Sequence, residues 1–123
     1  MNRSRLQRRC FALDLKDDPG TIERYKHWHR PGGPPAEVTR SLRDAGIESL
    51  DIYLIGNRLF MVMESDPAAP GSTRSTDDDD NPHVRAWEAL MGELQQDLPF
   101  PKRGPGTGKW QLLEHIYSLA DQP

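Results

Sequence analysis

Tyr25-Lys26-His27-Trp28-His29 sets a phenol and an imidazole four residues apart. On a helix, residues i and i+4 are neighbours on one face. An imidazole takes up and releases protons near pH 7. A tyrosine beside it can hold a hydroxyl or help position the transferred proton. The pair therefore suits general acid–base chemistry. The plainer alternative is a Tyr and a His half-buried on a core face with their polar tips satisfied. Pro31-Gly32-Gly33-Pro34-Pro35 follows at once, and a helix end beside a loop is a natural rim for a pocket.

The other reactive groups point less clearly to a site. His27 and His29 are i and i+2, so a regular helix cannot bring both to one metal, and zinc would need His83 or His115 to converge on them. With no HExxH or CxxC pattern, no metal site is expected. Asp77 to Asp80 lacks the glycine and distal glutamate of a calcium loop and reads as a solvated acidic run before a helix. Gly104 to Lys109 resembles a phosphate loop superficially, but Arg103 stands where the pattern needs glycine and Trp110 where it needs Ser or Thr. Trp28, Trp87 and Trp110 offer faces on which a sugar ring stacks, although Trp87 also falls on a core-facing helical stripe. Glu64 and Glu114 lie on expected strands. They could bind hydroxyls from the helix-free face of a sheet or simply face solvent.

These residues need a frame. Arg9 to Lys16 alternates, with Phe11, Leu13 and Leu15 on one side, and predicts a strand; Asp17 to Gly20 predicts a turn. Thr21 to Arg30 reads as a helix with Ile22, Tyr25 and His29 on one face, and Pro35 to Ala45 as a second helical stretch closed by Gly46. Ser49–Ile55 and Leu59–Glu64, joined by Gly56-Asn57, predict a hairpin. Asn81-Pro82 looks like an N-cap and first helical residue, with Val84, Trp87, Leu90 or Met91, and Leu94 on one face until Pro99. Trp110 to Leu119 is the expected last strand. The order is β-α-β-β-α-β, the ferredoxin-like arrangement of the α+β class. It leaves one face of an antiparallel sheet open, which motivates a homodimer.

The chain has 123 residues, a formal charge of −3 and 35% hydrophobic residues. This suits a single domain over residues 1–123, with 1–8 as an N-terminal arm and 67–80 as a flexible acidic loop. Neither the net charge nor a pI near 5.8 carries a nucleic-acid footprint. No run of 18 apolar residues predicts a membrane span, and no apolar stretch follows the basic N-terminus as a secretory signal would require. The one cysteine, Cys10, cannot form an intrachain disulfide and reads as a buried structural thiol. A cytoplasmic protein is expected.

Taken in order, Tyr25-x-x-x-His29, Asp51-Ile52-Tyr53-Leu54, Leu59-Phe60-Met61-Val62-Met63-Glu64, Arg85-Ala86-Trp87 and a glutamate-bearing last strand resemble the L-rhamnose mutarotase family, from about Arg9 to Leu119. The resemblance implies a dimeric ferredoxin-like α/β barrel that interconverts the α and β anomers of a 6-deoxy-L-hexose, an isomerase acting on a monosaccharide. It implies His29 as proton donor and Tyr25 and Trp87 as sugar contacts. Two positions depart from the family: Leu50 stands where a second binding tyrosine is expected, and Ala86 where the first of two adjacent tryptophans is expected. These departures bear on the sugar more than on the reaction, and L-fucose is slightly favoured over L-rhamnose. Mutarotation itself requires no cofactor or metal; the complementary base has Glu64 and Glu114 as candidates. A small oxygenase-like enzyme of the same barrel class, or a non-enzymatic ligand-binding module, is the alternative.

Overall fold

A computed structural model describes residues 6–70, 81–101 and 109–123. Most of the acidic loop, the glycine-rich run before Lys109 and the first five residues of the arm lie outside the described residues. Strand β1 (Gln7–Leu15) is followed by helices α1 (Pro19–Trp28) and α2 (Ala36–Asp44). The hairpin β2 (Ile47–Ile55) and β3 (Arg58–Ser65) comes next. Helix α3 (Pro82–Leu94) runs directly into β4 (Gln95–Gln96); β5 (Gln111–Leu112) and a short 3-10 turn (Leu119–Asp121) complete the order. The sheet is antiparallel in the order β2-β3-β1-β4, with β5 also pairing with β1. This is the expected βαββαβ plan, with two helices in the first crossover and the last strand in two short pieces.

Local chemistry explains the boundaries. Asp18 caps α1, its carboxylate accepting from the backbone N–H and hydroxyl of Thr21 at 2.9 Å each, with Pro19 in the first turn. The turn expected at Asp17–Gly20 is therefore the helix start: proline lacks only an N–H that the first turn leaves unpaired anyway. Asn81 caps α3 in the same way, accepting from His83 N–H at 2.9 Å. Gly56 takes φ +58° at the hairpin tip, a conformation that favours glycine. Beside it, Asn57 ties the tip to the end of β1: its side chain donates to the Leu15 carbonyl at 2.9 Å, and its own carbonyl accepts from Leu15 N–H at 2.7 Å.

Opposed residues in paired strands share a face. The pairing Leu13↔Leu59 therefore sets Leu13, Leu15, Leu59, Met61 and Ile52 on the helix side. There Leu13, Leu15 and Leu59 join Tyr25, Val38, Val84, Trp87, Met91 and Leu94 in one core. The opposite face carries Cys10, Ala12, Asp14, Phe60, Val62 and Tyr53. Asp14 is buried on that side and accepts from Arg58 at 2.8 and 3.2 Å, while the guanidinium lies 5.4 Å from the centre of the Phe100 ring. Cys10, expected to be buried, is only half-buried and lies on the face away from the helices.

Three further features differ from the sequence expectation. Gln7 and Arg8, assigned to the arm, already pair with Ser65 and Glu64. Gln95-Gln96 forms a strand without a strand-like sequence, because the helix end delivers it to the free edge of β1, opposite Asp14 and Leu15. Of the expected strand Trp110–Leu119, only Gln111 and Leu112 form a ladder, opposite Ala12 and Phe11. An apolar alternation marks a face and leaves the choice of pairing partner to the rest of the molecule. No helix among the described residues is long and apolar enough to cross a membrane. Leu13 is fully buried at the centre of the core. Leu13→Ala is expected to lower unfolding free energy by about 2–5 kcal/mol, measured by urea denaturation.

Candidate active site

Helix α1 ends on the site. His29 is its C-cap residue, with φ −96° and ψ 2°. Its backbone N–H turns to the Lys26 carbonyl at 3.2 Å, a tightened last turn, and its ring Nδ1 lies 2.7 Å from the Tyr25 carbonyl. A carbonyl oxygen can only accept, so Nδ1 carries the hydrogen and donates it. Nε2 is then the nitrogen left for a ligand. The imidazole stacks on the Tyr25 ring, centroids 4.1 Å apart and planes inclined by 25°. Trp87 meets it edge-on at 5.4 Å, and Trp28 meets Trp87 edge-on at 6.2 Å.

The chain turns sharply after this cap. Gly33 N–H donates to the Arg30 carbonyl at 2.8 Å, and a Cβ on Gly33 would lie 2.2 Å from the Trp28 carbonyl oxygen. Only glycine permits that approach, which folds the loop back over the end of α1.

A cavity of about 210 Å³ opens between α1 and the hairpin. Leu15, Ile52, Leu54 and Leu59 supply an apolar wall; Tyr25 and His29 bring polar side chains, and Lys26 and Tyr53 also border it. The volume is below the ~300–1,000 Å³ typical of sites for drug-sized ligands, so the cavity suits a small molecule. Lys26 also holds Glu23 at 3.2 Å on the solvent side of α1.

Burial separates the roles of the two central groups. The Tyr25 phenol is pushed up to about 12, chiefly by burial; the donor from Gln95 opposes the shift and the charge of Glu88 adds to it. Tyr25 therefore works as a neutral hydroxyl. The His29 imidazolium is disfavoured by burial, which lowers its pKa below the ordinary 6.5 against the opposing pull of the Tyr25 carbonyl.

The structure brings Tyr25, His29 and Trp87 together. Trp87 is buried edge-on against the imidazole and does not line the cavity. Leu50 lies on β2 opposite Met63, on the helix side two residues from Ile52, and is outside the cavity lining. Ala86 is exposed on α3, also outside it. The candidate bases lie elsewhere. Glu64 is on the far face of the sheet, where it accepts from Ser49 at 3.1 Å and pairs with Arg8 at 3.3 Å. Glu114 is exposed beyond β5. Sequence reasoning missed Lys26 and Ile52 as lining groups and Gln95 as a partner of Tyr25. A buried glutamine after a helix leaves no pattern from which to find it.

Residues 8–119 match the family described as rhaM: L-rhamnose mutarotase. A protein named L-fucose mutarotase from Xanthomonas campestris pv. campestris is 41% identical over 120 residues, spanning 94% of this chain and 90% of that relative. A UPF0734 protein from Dictyostelium discoideum is 31% identical over 115 residues, spanning 88% of this chain and 86% of its own length. The crystal structure of an L-rhamnose mutarotase from Formosa agariphila covers 92% of this chain and 98% of its own, with a TM-score of 0.63 and 20% identity, a likeness of fold.

The depressed His29 pKa has a consequence for stability. An unfolded histidine protonates near its ordinary value of 6.5, before the folded one does. Protons therefore favour unfolding in that window, and the contribution is full above about 6.5 and lost as pH falls through the folded value. Melting temperature is expected to fall as pH drops from about 7 through the folded value of His29, and His29→Gln is expected to flatten that slope in calorimetry.

Proposed function

The chain belongs to the L-rhamnose mutarotase family, and we propose that it is an isomerase interconverting the α and β anomers of a 6-deoxy-L-hexose, with L-fucose ahead of L-rhamnose. The observation that carries this reading is the His29 ring, held by Nδ1 and by the Tyr25 stack, with Nε2 the nitrogen left for the cavity. The relative named L-fucose mutarotase supports the choice of sugar. The apolar wall of Leu15, Ile52, Leu54 and Leu59 suits a sugar that ends in a methyl group.

Ring opening removes the proton from O1, forms the C1=O1 carbonyl, and sends the C1–O5 electron pair to O5, which takes a proton. O1 and O5 are both bonded to C1, so one imidazole reaches both. Neutral His29 accepts the O1 proton at Nε2, and the imidazolium so formed returns it to O5. Rotation about C1–C2 turns the aldehyde, and the same proton travels back from O5 through Nε2 to O1 on reclosure. The sequence-level role of His29 as proton donor thus widens to base and acid in turn. This accords with the lack of a carboxylate in the cavity lining among the described residues. Tyr25 holds a sugar oxygen, and Trp87 keeps the imidazole in place. Leu50 and Ala86, outside the lining, are assigned no contact.

The protein is further proposed to be a cytoplasmic homodimer. Support for the dimer comes from Leu112 in β5 and Leu113, Ile116, Tyr117 and Leu119 after it, all exposed, and from Tyr53 and Ile55, exposed on the helix-free face. Ile116 is 85% exposed and Leu119 76%. Apolar groups concentrated like this on one segment mark an interaction surface. A lone cysteine accords with a reducing compartment.

Saturation-difference NMR on L-fucose and L-rhamnose tests the reaction. The protein is expected to accelerate exchange of both sugars, L-fucose more, with the rate flat above the His29 pKa and falling below it as Nε2 protonates. His29→Ala is expected to slow exchange by roughly 10²–10⁴-fold while folding normally. A folded His29→Ala protein that exchanges both sugars at the original rate would sink the assignment. Sedimentation is expected to give twice the 14.0 kDa of one chain, and Ile116→Asp with Leu119→Asp to shift it toward the monomer.

A further inference from the structure

Tyr25 is almost fully buried, 4% exposed, and a buried phenol needs a partner for its hydroxyl. That partner comes from the far end of the chain. Gln95 follows α3 directly and pairs with Leu15 in β4, so its side chain sits on the helix side of the sheet. It is 9% exposed, next to Leu94 and opposite Leu15, both in the core. A carboxamide held among leucines costs stability unless it is hydrogen-bonded. Gln95 Nε2 lies 3.5 Å from Tyr25 Oη, a long contact of the kind that tightens when a site fills.

The direction of this bond matters. A carboxamide nitrogen can only donate, so the phenol oxygen accepts from it. The phenol's own hydrogen must then point elsewhere. Among the described residues no other hydrogen bond to Tyr25 Oη is present, while Tyr25 lines the cavity beside His29.

We propose that Gln95 is a positioning residue of this site: its carboxamide turns the Tyr25 O–H toward the cavity and makes Tyr25 a donor to a substrate oxygen. The proposal rests on the mutarotase reading. It explains why a polar residue occupies a core position at the end of α3, where leucine would pack without cost. It also links α3, which carries Trp87, to α1, which carries Tyr25 and His29. The three ring contacts and the phenol's polarity are thereby set by the same two helices. Removing the carboxamide frees the phenol to rotate. Replacing it with a carboxylate reverses the bond, because a carboxylate accepts from the phenol and leaves only lone pairs for the substrate.

The test is a double-mutant cycle on sugar exchange, with KM and kcat measured separately. Gln95→Leu is expected to raise KM by about 3- to 10-fold with a smaller change in kcat, the size of one lost hydrogen bond. Gln95→Asn keeps the amide but shortens its reach; it is expected to move KM the same way, and serves where leucine perturbs folding. In a Tyr25→Phe background, Gln95→Leu is expected to add nothing further, because the group through which it acts is gone. Effects that multiply in the double variant, or an unchanged KM in both Gln95 variants, overturn the proposal. A probe independent of turnover is the tyrosine 13Cζ resonance, assigned to Tyr25 by its loss in Tyr25→Phe. It is expected to move in Gln95→Leu, and a resonance that stays in place overturns the contact. Failure of the parent reading looks different: the unsubstituted protein then exchanges no sugar while the Tyr25 resonance still reports on Gln95.

Discussion

The last turn of a helix leaves carbonyls with no helical N–H to meet. In this protein the Tyr25 carbonyl is one of them, and the His29 imidazole answers it through Nδ1 at 2.7 Å. Much of the site follows from that bond. It selects the neutral tautomer that leaves Nε2 for chemistry. It holds the ring flat on Tyr25, and it needs the chain to leave the helix at His29, which the approach of Gly33 to the Trp28 carbonyl makes possible. A longer helix would give the Tyr25 carbonyl a backbone donor and release the imidazole.

Burial does the electrostatic work. The core that packs Tyr25 among Leu13, Leu15, Leu59 and Trp87 is the same core that keeps the phenol neutral and lowers the imidazole's affinity for a proton. A neutral imidazole is the form that can begin by accepting a proton, and its apolar surroundings make the imidazolium quick to give that proton up. Structural and chemical demands coincide on α1, so the active groups do not have to be held against the packing.

The sheet divides the molecule's tasks. Its helix side holds the core and the cavity. Its other side holds the Asp14–Arg58 pair, Glu64 with Ser49 and Arg8, and apolar groups that reach solvent. Glu64 shows what this division decides: it stands on a strand that borders the cavity, yet its register sends it to the face opposite Tyr25 and His29.

Much of the frame was legible in the residues. Period-2 alternation marked β1 and the hairpin, and the i, i+4 spacing placed Tyr25 and His29 side by side, because these signals repeat within one element. Where a feature depends on two distant segments, the chain carries no local record of it. Gln95 becomes a strand residue and a partner of Tyr25 only because α3 ends at the edge of β1. Trp110–Leu119 reads as a strand, but only Gln111 and Leu112 pair in a ladder, with Leu113 N–H adding a bond to the Cys10 carbonyl at 2.8 Å. The sequence by itself determined which residues could do proton chemistry and that they share a helix face. The tertiary structure alone decided which imidazole nitrogen is available, that burial favours the neutral form of both groups, and that Glu64 faces the other side of the sheet while Glu114 lies beyond β5. Tautomer, burial and sheet face are properties of what packs against a residue, and that is set by segments far from it in the chain.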